Sequence, residues 1–170
     1  MRALINRLVE LGHRRIVMLA RRVRRVPNPG GFEKLFLDEL AANGIQHGVY
    51  NLPDWSESAD GLQRVLENLF QHTPPTALII EESSTFIAAQ QHLAQLGILA
   101  PRDVSLICDD PDPAFAWCRP SIAHIHWDGS SIARRAVRWA RRSQTCFRMA
   151  RSSSEGSREK SAAIFRELVL

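Results

Sequence analysis

Two adjacent aspartates, Asp109-Asp110, directly follow a strand-like run, Val104 to Cys108, and lead into Pro111-Asp112-Pro113. Carboxylates at a strand end hold a phosphoryl group or divalent cation in some proteins and accept hydrogen bonds from hydroxyls in others. A phosphoacceptor site also needs a lysine near another strand end. The lysines here are Lys34, in a helical stripe, and Lys160, in a polar tail, so that chemistry fails. Magnesium on two or three carboxylates stays physically open, but a hydroxyl-binding loop or a solvated turn is the commoner use of such a segment, and no metal is expected. His124 and His126 share one face of an extended segment, yet a zinc site would need a third ligand from afar. Cys108, Cys118 and Cys146 form no Cys-x-x-Cys or Cys/His cluster, which suggests a reducing compartment and packing roles. There is no G-x-S-x-G, Walker A or G-x-G-x-x-G sequence, and Ser83-Ser84 with a distant histidine makes no triad. Nothing in these residues argues for an enzyme or a cofactor.

The elements that position those residues are readable from periodicity. Leu4, Ile5, Leu8, Val9 and Leu11 recur at helical spacing and stop at Gly12. Ile16 to Leu19 reads as a buried strand, Phe32 to Leu40 as a helix closed by Asn43-Gly44, and Val49 to Leu52 as a second short strand. Asp54 and Glu57 have capping-box spacing ahead of a helix carrying Leu62, Val65, Leu66 and Leu69. Ala77 to Ile80 is a continuous apolar strand, Ser83 or Ser84 opens a helix closed by Gly97, Val104 to Cys108 is another strand, and Ile122 to Ile125 a last extended segment. Ile132 to Ala140 forms one face of a helix whose other face is Arg134, Arg135, Arg138, Arg141 and Arg142. Strands taking turns with helices predict an α/β fold, a mostly parallel doubly wound sheet with helices on both faces. Ligands in such sheets bind at the carboxyl ends of strands, near a topological switch point. Residues 20–25, 81–84 and 108–112 are therefore the functional candidates.

With 170 residues, 45% hydrophobic and 24% charged, the chain fits one soluble globular domain, and no apolar run is long enough to span a bilayer. The net charge of +4 hides a strong asymmetry. Residues 1–27 hold eight arginines against one glutamate, residues 28–133 four basic against fourteen acidic residues, and residues 134–160 nine basic against two acidic. The basic segments alternate with helical apolar positions, which describes a solvated helix face as well as a nucleic-acid surface. Residues 143–170 read as an atypical Arg/Ser-rich tail.

Five segments in order resemble the sensor domain of lactose/galactose repressor (LacI/GalR) regulators. They are Leu8-Val9-Glu10-Leu11-Gly12-His13-Arg14-Arg15-Ile16; Gly31-Phe32 with Asn43-Gly44-Ile45; Pro75-Thr76-Ala77-Leu78-Ile79; Leu96-Gly97-Ile98 with Pro101-Arg102-Asp103-Val104-Ser105-Leu106-Ile107; and Arg119-Pro120-Ser121-Ile122. The resemblance implies one lobe of a periplasmic-binding-protein-like fold, spanning residues 1–142, used in the cytoplasm to sense a small, sugar-like effector. It implies that DNA is bound only through a helix-turn-helix headpiece outside this chain, that the intact protein is a homodimer, and that no membrane is involved. Helices at 1–12 and 129–142 are assigned to the absent N-terminal lobe.

Carried over position by position, the effector-binding aspartate falls on Asp110, which matches. The family's Asn-Asp pair falls on Glu82-Ser83, and its arginine before the Gly-aromatic pair falls on Asn28, with Arg24 and Arg25 nearby. A ligand-contacting residue falls near Trp127, whose ring suits a sugar face. Phe86, Ala89 and Trp117 stand where the family builds part of its dimer contact. The departures at 28, 82 and 83 prevent transfer of the ligand class. The alternative from the residues is a free-standing ligand-binding or dimerisation module with no DNA role.

Overall fold

The fold was obtained as a computed structural model, which describes residues 1–25, 28–126, 129–131 and 133–140. Four parallel strands lie in the order β1 (Ile16–Leu19), β2 (Ala77–Ile80), β3 (Ser105–Cys108) and β4 (Ala123–His124). Ile16 pairs with Ala77, Ala77 with Ser105, and Ile107 with Ala123, so the carboxyl ends of all four strands form one rim. Four helices accompany them: α1 (Arg2–Glu10), α2 (Gly31–Ala42), α3 (Ala59–His72) and α4 (Ser83–Gln95). Strand order follows chain order throughout, so the described sheet contains no switch point. The rim alone marks where a ligand site belongs.

Strand periodicity of two divides the core into halves. Val17, Leu19, Leu78, Ile80, Leu106 and Cys108 pack with Leu62, Val65, Leu66 and Leu69 of α3 and Phe86, Ala89 and Leu93 of α4. Ile16, Met18, Ala77, Ile79 and Ile107 face the other way, onto Ile5 and Leu8 of α1 and Phe36 and Leu40 of α2. A sheet covered on both faces needs strands without polar alternation, and β1 and β2 are buried at every position. Burying each such side chain contributes about 1.5–3 kcal/mol. Helices α2 and α4 stop at left-handed glycines, Gly44 (φ 71°) and Gly97 (φ 79°), where a side chain would be strained.

Three expectations are corrected. First, α1 packs in this unit's own core: Ile5 and Leu8 are buried with α2 and the sheet. Second, Val49 to Leu52 is a turn, not a strand. Gly48 and Asn51 close it on themselves, and Asn51 then bonds β1 through its carbonyl to the Met18 N–H (2.8 Å) and its amide to the Ile16 carbonyl (2.8 Å). One asparagine, through its backbone carbonyl and its side-chain amide, thus stands in for a ladder on the edge of β1. Third, Asp54 and Glu57 form no capping box; Ser58 caps α3, its hydroxyl accepting the Gly61 N–H at 3.1 Å. Glu57 is released for other contacts.

The chain divides into two compact units, Met1–Trp127 and Asp128–Leu170. In the second, residues 129–131 and 133–140 are helical, and the side chains of 133–140 are exposed. The tail beyond residue 140 and Trp127 lie outside the described residues. No helix among the described residues is long and apolar enough to cross a membrane.

Candidate functional site

Directly beyond β1, the chain turns at Arg21, and this arginine organises the rim. Its backbone N–H donates to Glu81 Oε2 at 2.6 Å, tying the end of β1 to the end of β2. Its guanidinium donates to Glu57 Oε2 at 3.1 Å and forms an ion pair with Glu82, the residue that opens α4. The other Glu57 oxygen accepts the Arg22 N–H. Three segments distant in sequence are thereby clasped by one side chain. Glu57, then Glu82, raise the Arg21 guanidinium above its ordinary range, and Arg21 in turn holds the Glu57 carboxyl low despite partial burial.

A cleft of about 320 Å³ opens at this clasp, lined by Arg21, Glu57 and Glu82 together with Trp55, Ser58, Ser84 and Thr85, and floored by Ala59, Leu62 and Ala88. Trp55 is fixed there because its indole N–H donates to the Ala20 carbonyl at 3.0 Å. The segment that carries Trp55 and Glu57 is pressed against α3: a Cβ on Gly61 would lie 1.9 Å from the Ser56 carbonyl oxygen. Only glycine permits that approach.

A second arginine from the same loop does different work. Arg25 pairs with the buried Glu33 at 2.7 Å and with Asp54 at 3.1 Å, while Glu33 also accepts the Gly30 N–H at the start of α2. This group fixes the loop after β1 to α2.

Along the rim at β3, Asp109 is buried and Asp110 exposed. Asp112 accepts the Ala114 N–H at 2.8 Å and a hydrogen bond from Ser83, in that order of influence, and both hold its carboxyl low. Ser83 therefore joins the start of α4 to the loop after β3. Burial pushes the Cys108 thiol up to about 11, so it packs as an apolar group. Glu82 and Asp110 follow paired strand ends on one rim, as the alternation of elements requires. Asn28 is exposed in the loop before α2. Phe86 and Ala89 are buried in this lobe's own core, which removes them from any free partner surface, whereas Trp117 is 88% exposed. No group of three or more His, Cys, Asp or Glu among the described residues is placed to hold a metal ion.

Sequence reasoning missed Trp55 and Glu57 as site residues and named Arg21 only within a loop. The signal was Arg21's place just past a buried strand.

A parallel sheet covered on both faces, with a polar cleft at its carboxyl rim, is matched by a family model for the periplasmic binding protein-like domain over residues 5–151. The chain belongs to that family. Among solved structures it is similar to a LacI-family transcriptional regulator from Burkholderia phymatum, at 29% identity and a TM-score of 0.64, covering 81% of this chain and 50% of that one. A LacI-type transcription regulator from Bifidobacterium animalis matches at 26% identity and 0.63, covering 80% and 52%. A sugar-binding LacI-family regulator from Escherichia coli, complexed with phosphate, shares the fold at 21% identity and 0.59, covering 72% and 44%. The chain thus spans about half the length of these regulators, which are not enzymes. No curated protein sequence matches it.

Proposed function

We propose that this chain is the effector-sensing part of a LacI-type transcriptional regulator that binds a small, sugar-like ligand between two lobes and so changes the DNA affinity of a headpiece carried elsewhere in the intact protein. The observation that supports this most is the cleft at the carboxyl rim, where Trp55, 8% exposed, borders the space beside Arg21, Glu57 and Glu82. An aromatic face with convergent polar groups is the chemistry a sugar ring needs. On this reading Asp110, Ser83 and Trp127 add ligand contacts, Asn28 lies at the margin, and residues 129–142 belong to the partner lobe. Lobe closure on the ligand then acts by shifting a population between conformations. The protein works in the cytoplasm beside its operator, without a cofactor.

Intact regulators of this kind pair with a second copy, and the exposed Trp117 favours that reading for this chain. The test is a thermal-shift screen of the intact regulator against neutral sugars, with gel shifts on operator fragments. A ligand that raises the melting temperature and alters the gel shift is the expected result. Sequence-specific operator binding by residues 1–170 alone, or no response to any sugar, overturns the proposal.

A further inference from the structure

A second pocket lies away from the cleft, between the later half of α3 and the turn that follows Gly48. Val65, Asn68, Leu69 and His72 recur at helical spacing, so one face of α3 makes one wall of it. Tyr50 and Pro53 stand on the other side, and the space measures about 240 Å³. The cleft uses Ser58, Ala59 and Leu62 at the start of α3. Leu69 comes seven residues after Leu62, about 10 Å farther along at the helical rise. Successive residues of one segment thus serve two spaces, Pro53 and Asp54 this pocket, Trp55 and Glu57 the cleft.

Both walls are fixed by their own hydrogen bonds. The Tyr50 hydroxyl donates to the Thr73 carbonyl at 2.9 Å, tying the turn to the end of α3. Burial pushes the Tyr50 phenol above its ordinary value, so that proton stays. The Pro53 carbonyl accepts from Arg25 at 3.1 Å, which fastens the turn to the loop after β1.

The lining suits a flat ring with one polar edge. Pro53, Val65 and Leu69 are apolar, and the ring of Tyr50 favours an aromatic neighbour in offset or edge contact. His72 Nδ1 lies 3.1 Å from the Asn68 carbonyl, which can only accept, so the ring hydrogen sits on Nδ1 and Nε2 is left as an acceptor. The Tyr50 oxygen, its proton already donated, also keeps acceptor capacity. Both ask for a donor. A volume of about 240 Å³ exceeds the roughly 150 Å³ that holds benzene and falls below the roughly 300–1,000 Å³ of drug-sized pockets. One substituted ring fits.

We infer that this pocket is a second ligand site, separate from the effector cleft, for a neutral single-ring aromatic that carries one hydrogen-bond donor, of the phenol kind.

Phenol, anisole and cyclohexanol separate the requirements, since anisole lacks the donor and cyclohexanol the flat ring. Each is titrated at neutral pH into the 170-residue chain with labelled methyl and indole groups. Val65 and Leu69 report on the pocket and Trp55 on the cleft. Phenol is expected to shift the two methyl signals saturably, with a Kd on the order of 1 mM, and to leave Trp55 in place. Anisole is expected to bind roughly fivefold more weakly, the worth of one net hydrogen bond, and cyclohexanol also more weakly than phenol. Asn68→Trp, a change at an exposed position on the border, is expected to fill the space and abolish the phenol shifts. Should that variant not fold, the three ligands on the unaltered chain decide. The inference is overturned by the absence of saturable methyl shifts, by phenol shifts centred on Trp55, or by anisole or cyclohexanol matching phenol. Phenol binding untouched by Asn68→Trp overturns it as well. The sugar reading is tested separately and survives each of these results.

Discussion

Arg21 and Arg25 leave the same strand end, four residues apart, and each is held by two carboxylates, yet they belong to different parts of the molecule's work. Arg25 is 15% exposed and its partner Glu33 2%, whereas Arg21, Glu57 and Glu82 are 31%, 24% and 33% exposed. Burial separates the roles. A charge withdrawn from water must keep its partner, since losing it leaves an uncompensated buried ion, while a half-solvated charge can exchange one partner for another at little cost. The Arg25 group is therefore a fastening between the β1 loop and α2, and the Arg21 group is a part-solvated clasp.

The largest expected effect follows from the fastening. Glu33→Ala removes both the Arg25 ion pair and the acceptor for the Gly30 N–H at the start of α2. The loss is expected to be about 3 kcal/mol, the lower end of what breaking a buried pair costs because Asp54 still holds Arg25. Urea unfolding of the variant reads it directly. A cost below about 1 kcal/mol would erase the distinction between the two arginines, because Glu33 would then behave as a surface carboxylate.

How far this was legible in the sequence follows the same division. The strands were legible because complete burial removes polar alternation: Ile16 to Leu19 and Ala77 to Ile80 leave no other assignment for short apolar runs between breakers. The rim was legible too, since parallel strands must end together, and it brought Glu82 and Asp110 to one edge. What periodicity cannot convey is which partner a charged side chain takes across 36 residues, as Arg21 does with Glu57. Local spacing favoured a capping box at Asp54 and Glu57, and the distant arginines won both. The turn at Gly48 to Asn51 was missed for a related reason. Its residues suit a strand, but Asn51 bonding the Ile16 carbonyl and the Gly48 N–H supplies a competing closure. Helix α1 was assigned elsewhere because its amphipathic stripe says that it packs, not on what.

The clasp itself sharpens the comparison with an intermediate effect. Glu57→Gln is expected to lower stability by less than about 1 kcal/mol near neutral pH, since the pair is part-solvated. Its acid dependence carries a definite sign. The Glu57 carboxyl lies below its ordinary value of 4.5 in the folded chain, through Arg21 first and the Arg22 N–H among the others. Its stabilising contribution is therefore complete above the unfolded value and is lost as pH falls through the folded one. Thermal melts of the parent and Glu57→Gln chains are expected to converge below that window and to separate above it. Curves that stay parallel from acid to neutral pH would mean that Arg21 does not read the charge on Glu57.

The smallest effect belongs to the pair with the best local geometry. Arg102 donates to both oxygens of Asp103 at 2.8 to 3.1 Å, yet both side chains are open to water. The residues are neighbours in sequence, so the unfolded chain keeps the pair too, and folding gains nothing from it that unfolding would lose. Arg102→Ala is accordingly expected to leave the urea midpoint unchanged within scatter. The Asp103 carboxyl, held low by Arg102 first and the Leu99 N–H second, should nevertheless titrate at higher pH in the variant, as carboxyl chemical shifts would record. A midpoint that moved along with that titration would show that contact geometry, and not burial, ranks these ion pairs, and the contrast between Arg21 and Arg25 would lose its cause.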